Sequence, residues 1–435
     1  MAKELIKINK ADNVAIATRQ LNLGGIVNLD GERITVTSDI AKGHKVALHD
    51  IRKGEDIIKY GIAIGKANKD IRTGELVHFN IDELEHAYPP FDEVKIKEKI
   101  ASLISLTDFS STPSIRSYKR AGGEYGIRNY LWAVLTDDYY REVEGIYNFH
   151  ESDLDRIALI RKNPNCGAMV IISDGDRKKA LEKMFEDDDR VSVFSPEENI
   201  EEEKERLSDL LADEEKTYCK LSEISFAIRS DTPENRTAVV ANTFLARCSE
   251  IIVQFGGKIM FTETIKMLNS ASELLERCIN KDVYDKALKL FQDHESERRT
   301  ENSKRLFFSG LSNVREVSAG NVWTIGDNVI AGVLREGERM THPGIFLCDT
   351  PEGDEAIISA VCSGASLIFA PNDNEKKILS PIPVVSIASD PENVMTDFNA
   401  SDILEEEMEF ILDEFFHYLV SIANGRSLTD NEKIL

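Results

Sequence analysis

The sequence predicts an α/β protein in which a small N-terminal β domain precedes a large region built on a mostly parallel sheet, divisible near residue 230 into two lobes. Three observations carry this. Up to about Asp82, short apolar-alternating runs are punctuated by glycine turns, as short strands are. From about Ser117, apolar strand-like runs alternate with helical stretches, the pattern of stacked α/β layers. A length of 435 residues exceeds one ordinary core and fits two or three domains.

In order, the first domain (1–82) offers strands at Val14–Thr18, Arg33–Ser38, Lys45–Ile51 and Leu76–Phe79. Residues 83–115 have the Pro and Ser content of an inter-domain linker, with one helix near Asp92–Leu106. The first lobe (116–230) and second lobe (231–435) share strands at Tyr130–Leu135, Ala168–Ile172, Ile224–Ile228, Lys258–Phe261, Gly344–Leu347, Ser366–Ala370 and Val384–Ile387. Helices fall between them at Asp176–Phe185, Asn199–Ala212, Arg236–Phe255, Thr264–Leu275 and Lys281–Asp293. A last helix, Glu405–Ala423, is apolar at Met408, Ile411, Leu412, Phe415, Phe416 and Leu419, which is helix-period packing.

Composition narrows the function. Hydrophobic residues at 42% and charged residues at 30% describe a globular chain. No apolar run approaches the ~18 residues of a membrane span, and the first residues do not open a signal peptide, so no membrane partner is expected. A net charge of −24 repels phosphate backbones and no basic patch offsets it, which argues against nucleic acid. Much of the acidity, as in Glu186–Asp189, Glu197–Glu205 and Glu405–Glu407, reads as solvated helix faces. The six cysteines lie far apart with no C-x-x-C pair, which fits a reducing cytoplasm better than a disulfide framework or zinc knot.

Residues 40–82 concentrate polar chemistry. His44, His49 and His78 with Lys45 and Lys59 sit in short strand-like runs, either as a site for a metal or anionic substrate or as a solvated sheet face. The stretch contains Gly43-His44-Lys45, Asp50-Ile51-Arg52-Lys53-Gly54, Tyr60-Gly61-Ile62-Ala63-Ile64-Gly65 and Gly74-Glu75-Leu76-Val77-His78. In this order the segments resemble the β-clip (SAF-type) domain that opens the altronate/galactarate dehydratase family of sugar-acid lyases. Relatives often carry a second His two residues after the last segment, where this chain has Asn80.

Further along, Tyr118-Lys119-Arg120-Ala121-Gly122-Gly123-Glu124-Tyr125-Gly126-Ile127-Arg128-Asn129-Tyr130 precedes an apolar strand. It reads either as a carboxylate clamp of two guanidiniums or as a glycine turn with solvated arginines. It resembles the opening of the family's catalytic domain, with Gly122 for the family's Asp and Glu124 for its middle Arg. Ser230 and Asp231 suit a helix N-cap, and with Ala241 and Asn242 they are what survives of a longer family segment whose Cys and Gly residues are absent. Glu263, in Thr262-Glu263-Thr264, sits where a strand gives way to a helix; it suits an α/β site or the helix dipole alone. Asp349-Thr350-Pro351 and Asp397-Phe398-Asn399-Ala400 also resemble family segments, while the Thr-Gly-Arg-Gly, Lys-Ala-Gly-Gly-Leu-Thr and His-Gly-x-Gly-Cys segments have no counterpart.

The resemblance implies a hydro-lyase that dehydrates an aldonate or aldarate to a 2-keto-3-deoxy acid, with its site where the β-clip meets the α/β region. Removing the proton α to a carboxylate leaves two negative charges on one group, so fixed cations or a metal must hold them. On that reading His44, Lys45, Lys59, His78 and Glu263 are catalytic, and Arg120, Arg128, Asn129 and Ser230 bind substrate. His44, Asp231 and Asp349 would hold a divalent ion (Fe2+, Mn2+ or Mg2+), whose hard oxygen and imidazole ligands these are. The partner is then a small anionic sugar acid, with a homo-oligomer left open. Loss of family segments keeps two other readings alive: a relative that has lost catalysis and binds a sugar acid or a protein, and a β-clip that works alone as a binding module.

Overall fold

The computed structural model describes residues 3–78, 80–82, 84, 87–103, 113–136, 142–229, 239–300, 314–372, 378–389, 396–404 and 408–428. The N-terminal domain is all β. Strands β1 (Val14–Ala17), β2 (Lys45–Ala47), β3 (Asp56–Lys59), β4 (Ile62–Ala67) and β5 (Leu76–Val77) form its centre. β2 lies antiparallel between β1 and β5, with Lys45 opposite Val77. Alternation along β2 sends Val46 into one apolar cluster, with Ala15, Ala17 and Ile40, and Ala47 into another, with Val14, Ile57 and Ile64. Lys45 shares the parity of Ala47. That second cluster also contains Ala246, Ala319 and Trp323 from the C-terminal half, so the small domain completes its core against the large region.

Residues 83–115 are more than a tether. Helix α1 (Glu93–Leu103) buries Ile96, Tyr88 and Phe91 pack against the second-lobe core, and the Tyr284 hydroxyl donates to the Pro89 carbonyl at 2.5 Å. The first lobe then builds a four-stranded parallel sheet from β6 (Tyr130–Leu135), β7 (Tyr147–His150), β8 (Cys166–Ile172) and β9 (Val191–Phe194), in the order β7-β6-β8-β9. Helices α2 (Leu154–Arg161), α3 (Gly175–Met184) and α4 (Glu201–Ala212) connect and flank these strands.

The second lobe is a seven-stranded parallel sheet of β10 (Ser225–Ile228), β11 (Lys258–Phe261), β12 (Ile330–Leu334), β13 (Gly344–Cys348), β14 (Leu367–Pro371), β15 (Val384–Ala388) and β16 (Phe398–Asn399). Its order is β12-β13-β11-β10-β14-β15-β16, and every pair is parallel. Helices α5 (Ala241–Gln254), α6 (Lys281–Thr300), α7 (Val314–Trp323) and α8 (Asp354–Cys362) lie between its strands, and α9 (Met408–Ala423) follows the last of them. Because β10 is a central strand here, the second lobe begins before it, upstream of the boundary expected at 230. The two lobes share one apolar cluster, in which Trp132, Ile157 and Ile171 meet Met260, Phe346 and Val361.

The helix expected over Thr264–Leu275 divides into a 3-10 turn, Thr264–Ser270, and a short helix from Ala271. Arg315 of α7 explains the break: its guanidinium takes the Asn269 carbonyl at 2.8 Å and the Ser270 hydroxyl donates to its own carbonyl. All six cysteines are free and buried. Among the described residues no helix is long and apolar enough to cross a membrane.

Candidate active site

The sheet register brings the first group together. Because Lys45 pairs with Val77 across antiparallel strands, His44 and His78 fall opposite each other, with ring centroids 5.4 Å apart. Both imidazoles are half-buried at the rim of the small domain. Beneath them the Lys45 and Lys59 ammonium groups reach one carboxylate of the large region: Lys45 Nζ lies 2.8 Å from Glu316 Oε2, and Lys59 Nζ 2.7 Å from Glu316 Oε1. These three residues are 3%, 1% and 2% exposed respectively. The two buried ammonium groups thus share one carboxylate.

The electrostatics follow from that count. Burial works to raise the Glu316 carboxyl, but the two ammonium groups override it and hold the carboxyl down at about 2. Burial lowers the Lys45 ammonium and Lys59 adds to the shift, against the pull of Glu316. Burial, then the charges of Lys45 and His44, hold the His78 imidazole below its ordinary value, so it is neutral at pH 7. Tyr60 stands behind this group, buried, with the Lys59 ammonium 4.7 Å from its ring centroid. Asn80, standing where relatives often have His, is buried; its side-chain oxygen accepts from the His78 backbone N–H at 2.7 Å.

A second group gathers at the C-terminal ends of three neighbouring strands, β13, β11 and β10, where open α/β sheets build their sites. Glu263 follows β11 and is fully buried in a left-handed conformation (φ 56°), a strain of about 1–3 kcal/mol for a residue with a Cβ. The surroundings hold it there. Its N–H donates to Thr350 Oγ1 at 2.8 Å, and its Oε1 accepts from Lys266 Nζ at 2.8 Å and from the Gly353 N–H at 2.9 Å. Its Oε2 has no hydrogen-bond partner among the described residues, and Arg229, beyond β10, lies 3.8 Å from it. Burial raises the Glu263 carboxyl despite Lys266 and Arg229. Next to it His294, on α6, joins Thr264 Oγ1 through Nε2 at 2.9 Å, while its buried Nδ1 has no hydrogen-bond partner. Asp349 Oδ1 lies 4.0 Å from that Nε2, and burial raises its carboxyl too.

The two groups are joined by the Thr264–Ser270 turn, which starts at Glu263 and packs along α7, the helix that carries Glu316. Of the expected site residues, the structure thus assembles His44, Lys45, Lys59 and His78 in one group and Glu263 with Asp349 in the other. Ser230 and Asp231 lie outside the described residues. His44 and Asp349, expected on one ion, belong to different groups. Among the described residues no three His, Cys, Asp or Glu side chains form a metal-holding group.

The arginine clamp is corrected. Arg128 spends its guanidinium on the carbonyls of Ile127, Ile422 and Arg426. Arg120 spends its own on the carbonyls of Pro164 and Arg128, on Asn129 Oδ1 and on Glu214. Asn129 in turn bonds to the Leu211 carbonyl and Glu214 of the first lobe. These three residues fasten the start of β6 to its neighbours, and their donors are committed to the protein rather than to a ligand.

Sequence reading missed Glu316, Arg229, Lys266 and His294. A signal existed for the first: two lysines in apolar strands demand a buried counter-ion, and Glu316 is the one acidic residue of Val314-Arg315-Glu316-Val317-Ser318-Ala319-Gly320. No comparable signal marks His294, on a helix rich in charge of both signs.

A β-clip sealed by a buried ion triad onto a parallel-sheet body, with buried acid/base groups at and beside its strand ends, defines a two-module α/β protein with a candidate active site. Comparison with known proteins agrees module by module. Residues 3–84 match the altronate/galactarate dehydratase SAF domain, and residues 221–435 match the D-galactarate/altronate dehydratase C-terminal domain. The altronate dehydratase of Escherichia coli (strain K12) is 26% identical over 497 residues, covering 99% of this chain and 97% of that one. That of Bacillus subtilis (strain 168) is also 26% identical, with the same coverage. The galactarate dehydratase (L-threo-forming) of E. coli (strain K12) is 25% identical, covering 98% and 94%. The chain belongs to the altronate/galactarate dehydratase family.

Proposed function

We propose that this protein is a hydro-lyase that removes water from an aldonate or aldarate to give a 2-keto-3-deoxy acid. The observation that carries the reading is the match, over nearly its full length, to altronate dehydratases, with both family modules present and mated through Lys45, Lys59 and Glu316. The reaction breaks a C–H bond α to the carboxylate and a C–O bond at the β carbon. The proton and hydroxide leave as water, and the enol left behind becomes the ketone. His78, neutral at pH 7, suits the base that takes the α proton. The positive field of the two lysine ammonium groups favours the developing dianion.

Metal dependence belongs to this proposal. A divalent ion would supply Lewis-acid stabilisation of the dianion; His44 is the described donor that suits it, with His78 kept as the base, and no step above is routed through it. The six free, buried cysteines suit a reducing cytoplasm.

The test is a panel of aldonates and aldarates, with and without Fe2+, Mn2+ or Mg2+, followed by ultraviolet detection of the 2-keto-3-deoxy acid. At least one substrate is expected to turn over, and His44→Ala to abolish turnover while leaving unfolding of the α/β body unchanged. No turnover under any condition ends the lyase reading. Full activity in His44→Ala removes the small domain from the mechanism.

A further inference from the structure

The chain carries 24 more negative than positive charges, yet one cleft reverses that balance. It measures about 590 Å³, within the range of small-molecule sites, and opens beside the N-terminal ends of β6, β8 and β9. This is the first lobe, whereas the Glu263 group stands at the C-terminal ends of the second-lobe strands. Its cationic lining is Lys119, Arg120, Arg161, Lys162, Arg190 and Arg339, against only Glu124, Asp188 and Glu214. Six cations facing three carboxylates leave a local surplus of three positive charges.

The cations divide into two kinds. Arg120 and Arg161 are fixed: Arg120 as described above, and Arg161 by a two-pronged bond to Asp188 at 2.8 and 3.1 Å plus the Cys166 carbonyl. Their charge is held in place although their N–H groups are used. The others retain donors. Arg190 gives Glu214 a single N–H, at 2.9 Å, and Glu214 is shared with Arg120. Arg339 gives one to the Lys162 carbonyl and lies 3.8 Å from Glu124, while its buried Nη1 is packed against Gly364. Lys119 and Lys162 are exposed at the mouth and make no ion pair among the described residues. A rigid positive floor with uncommitted ammonium and guanidinium groups around it is prepared for a ligand with several negative charges.

We infer that this cleft is a second binding site, separate from the lyase groups, for a small polyanion with two or more closely spaced phosphates or carboxylates. The floor neutralises one end of such a ligand, and Arg190, Lys119 and Lys162 close on the other.

The test is calorimetric titration of the full chain at low salt with pyrophosphate and, separately, with citrate, so it needs no turnover and stands if the lyase reading fails. One-to-one binding of either probe is expected, with pyrophosphate marking a phosphate ligand and citrate a carboxylate one. The double variant Lys119→Gln/Lys162→Gln, confined to exposed side chains, should weaken it at least 10-fold. Arg190→Gln should weaken it independently. No heat with either probe overturns the proposal, as does binding that persists unchanged in the folded double variant.

Discussion

At the scale of single residues, Glu316 has the largest consequence. It is one carboxylate answering two buried ammonium groups, and neither lysine has water in which to hide if it is removed. Replacing Glu316→Gln keeps the shape and strips the charge, leaving two buried cations facing each other. Breaking such a pair costs about 3–5 kcal/mol. We therefore expect urea unfolding of the variant to show a loss of that size; a change below about 1 kcal/mol would mean that the triad is open to solvent. The same residue sets an acid limit. Its carboxyl is held at about 2 in the folded protein against an ordinary 4.5, so the unfolded chain binds the proton more readily. The stability it contributes is complete above about 4.5 and disappears as pH falls toward 2. Wild-type stability should fall more steeply than that of Glu316→Gln across this window, and parallel curves would refute the assignment. The pairing itself was not readable along the chain, because Lys45 and Glu316 are 271 positions apart and only folding makes them neighbours. The lysines themselves were legible, since charge in an apolar strand is conspicuous.

At the scale of elements, local pattern served the strands well and α7 badly. Tyr130–Leu135 and Lys258–Phe261 appear with the bounds that their apolar runs suggested, because a strand buried on both faces needs little beyond such a run. Helix α7 escaped notice because Gly320 and its valines are poor helix formers. Its stability is tertiary: the Gly320 carbonyl accepts from Asn242 Nδ2 at 2.8 Å, Arg315 bonds the Ala63 and Asn269 carbonyls, and Ala319 and Trp323 enter the small domain's core. The turns of that small domain are sequence-encoded. Gly74 lies at φ 79°, and a Cβ there would stand 1.9 Å from the Thr35 carbonyl oxygen. Gly74→Ala is thus expected to cost more than about 1 kcal/mol and to lower the thermal midpoint, since neither the backbone angle nor the neighbouring strand can yield cheaply. An unchanged midpoint would show that the turn next to His78 is looser than drawn.

At the scale of the whole molecule, two parallel sheets and a β-clip form one body through surfaces that the sequence marks only as apolar or as glycine-rich. The lobes share a core, and the Asn165 side chain ties them, accepting from Ile127 and Arg128 N–H groups while donating to the Ser366 carbonyl. Two modules and a parallel sheet were legible from periodicity. The lobe boundary was not, because the apolar run of β10 looks the same whichever sheet takes it up. The arginine clamp failed for a related reason: Arg120 and Arg128 have the right chemistry for an anion, and a buried backbone with bare carbonyls claims the same donors. The mating of small module to body also has a consequence in time. A ribosome releases Lys45 and Lys59 long before it has translated Glu316, so the nascent N-terminal module emerges with both ammonium groups unanswered. Its docking face can close only once the C-terminal half exists, which makes the joining of the modules a late event in biogenesis and the rim that carries His44 and His78 one of the last surfaces to be finished.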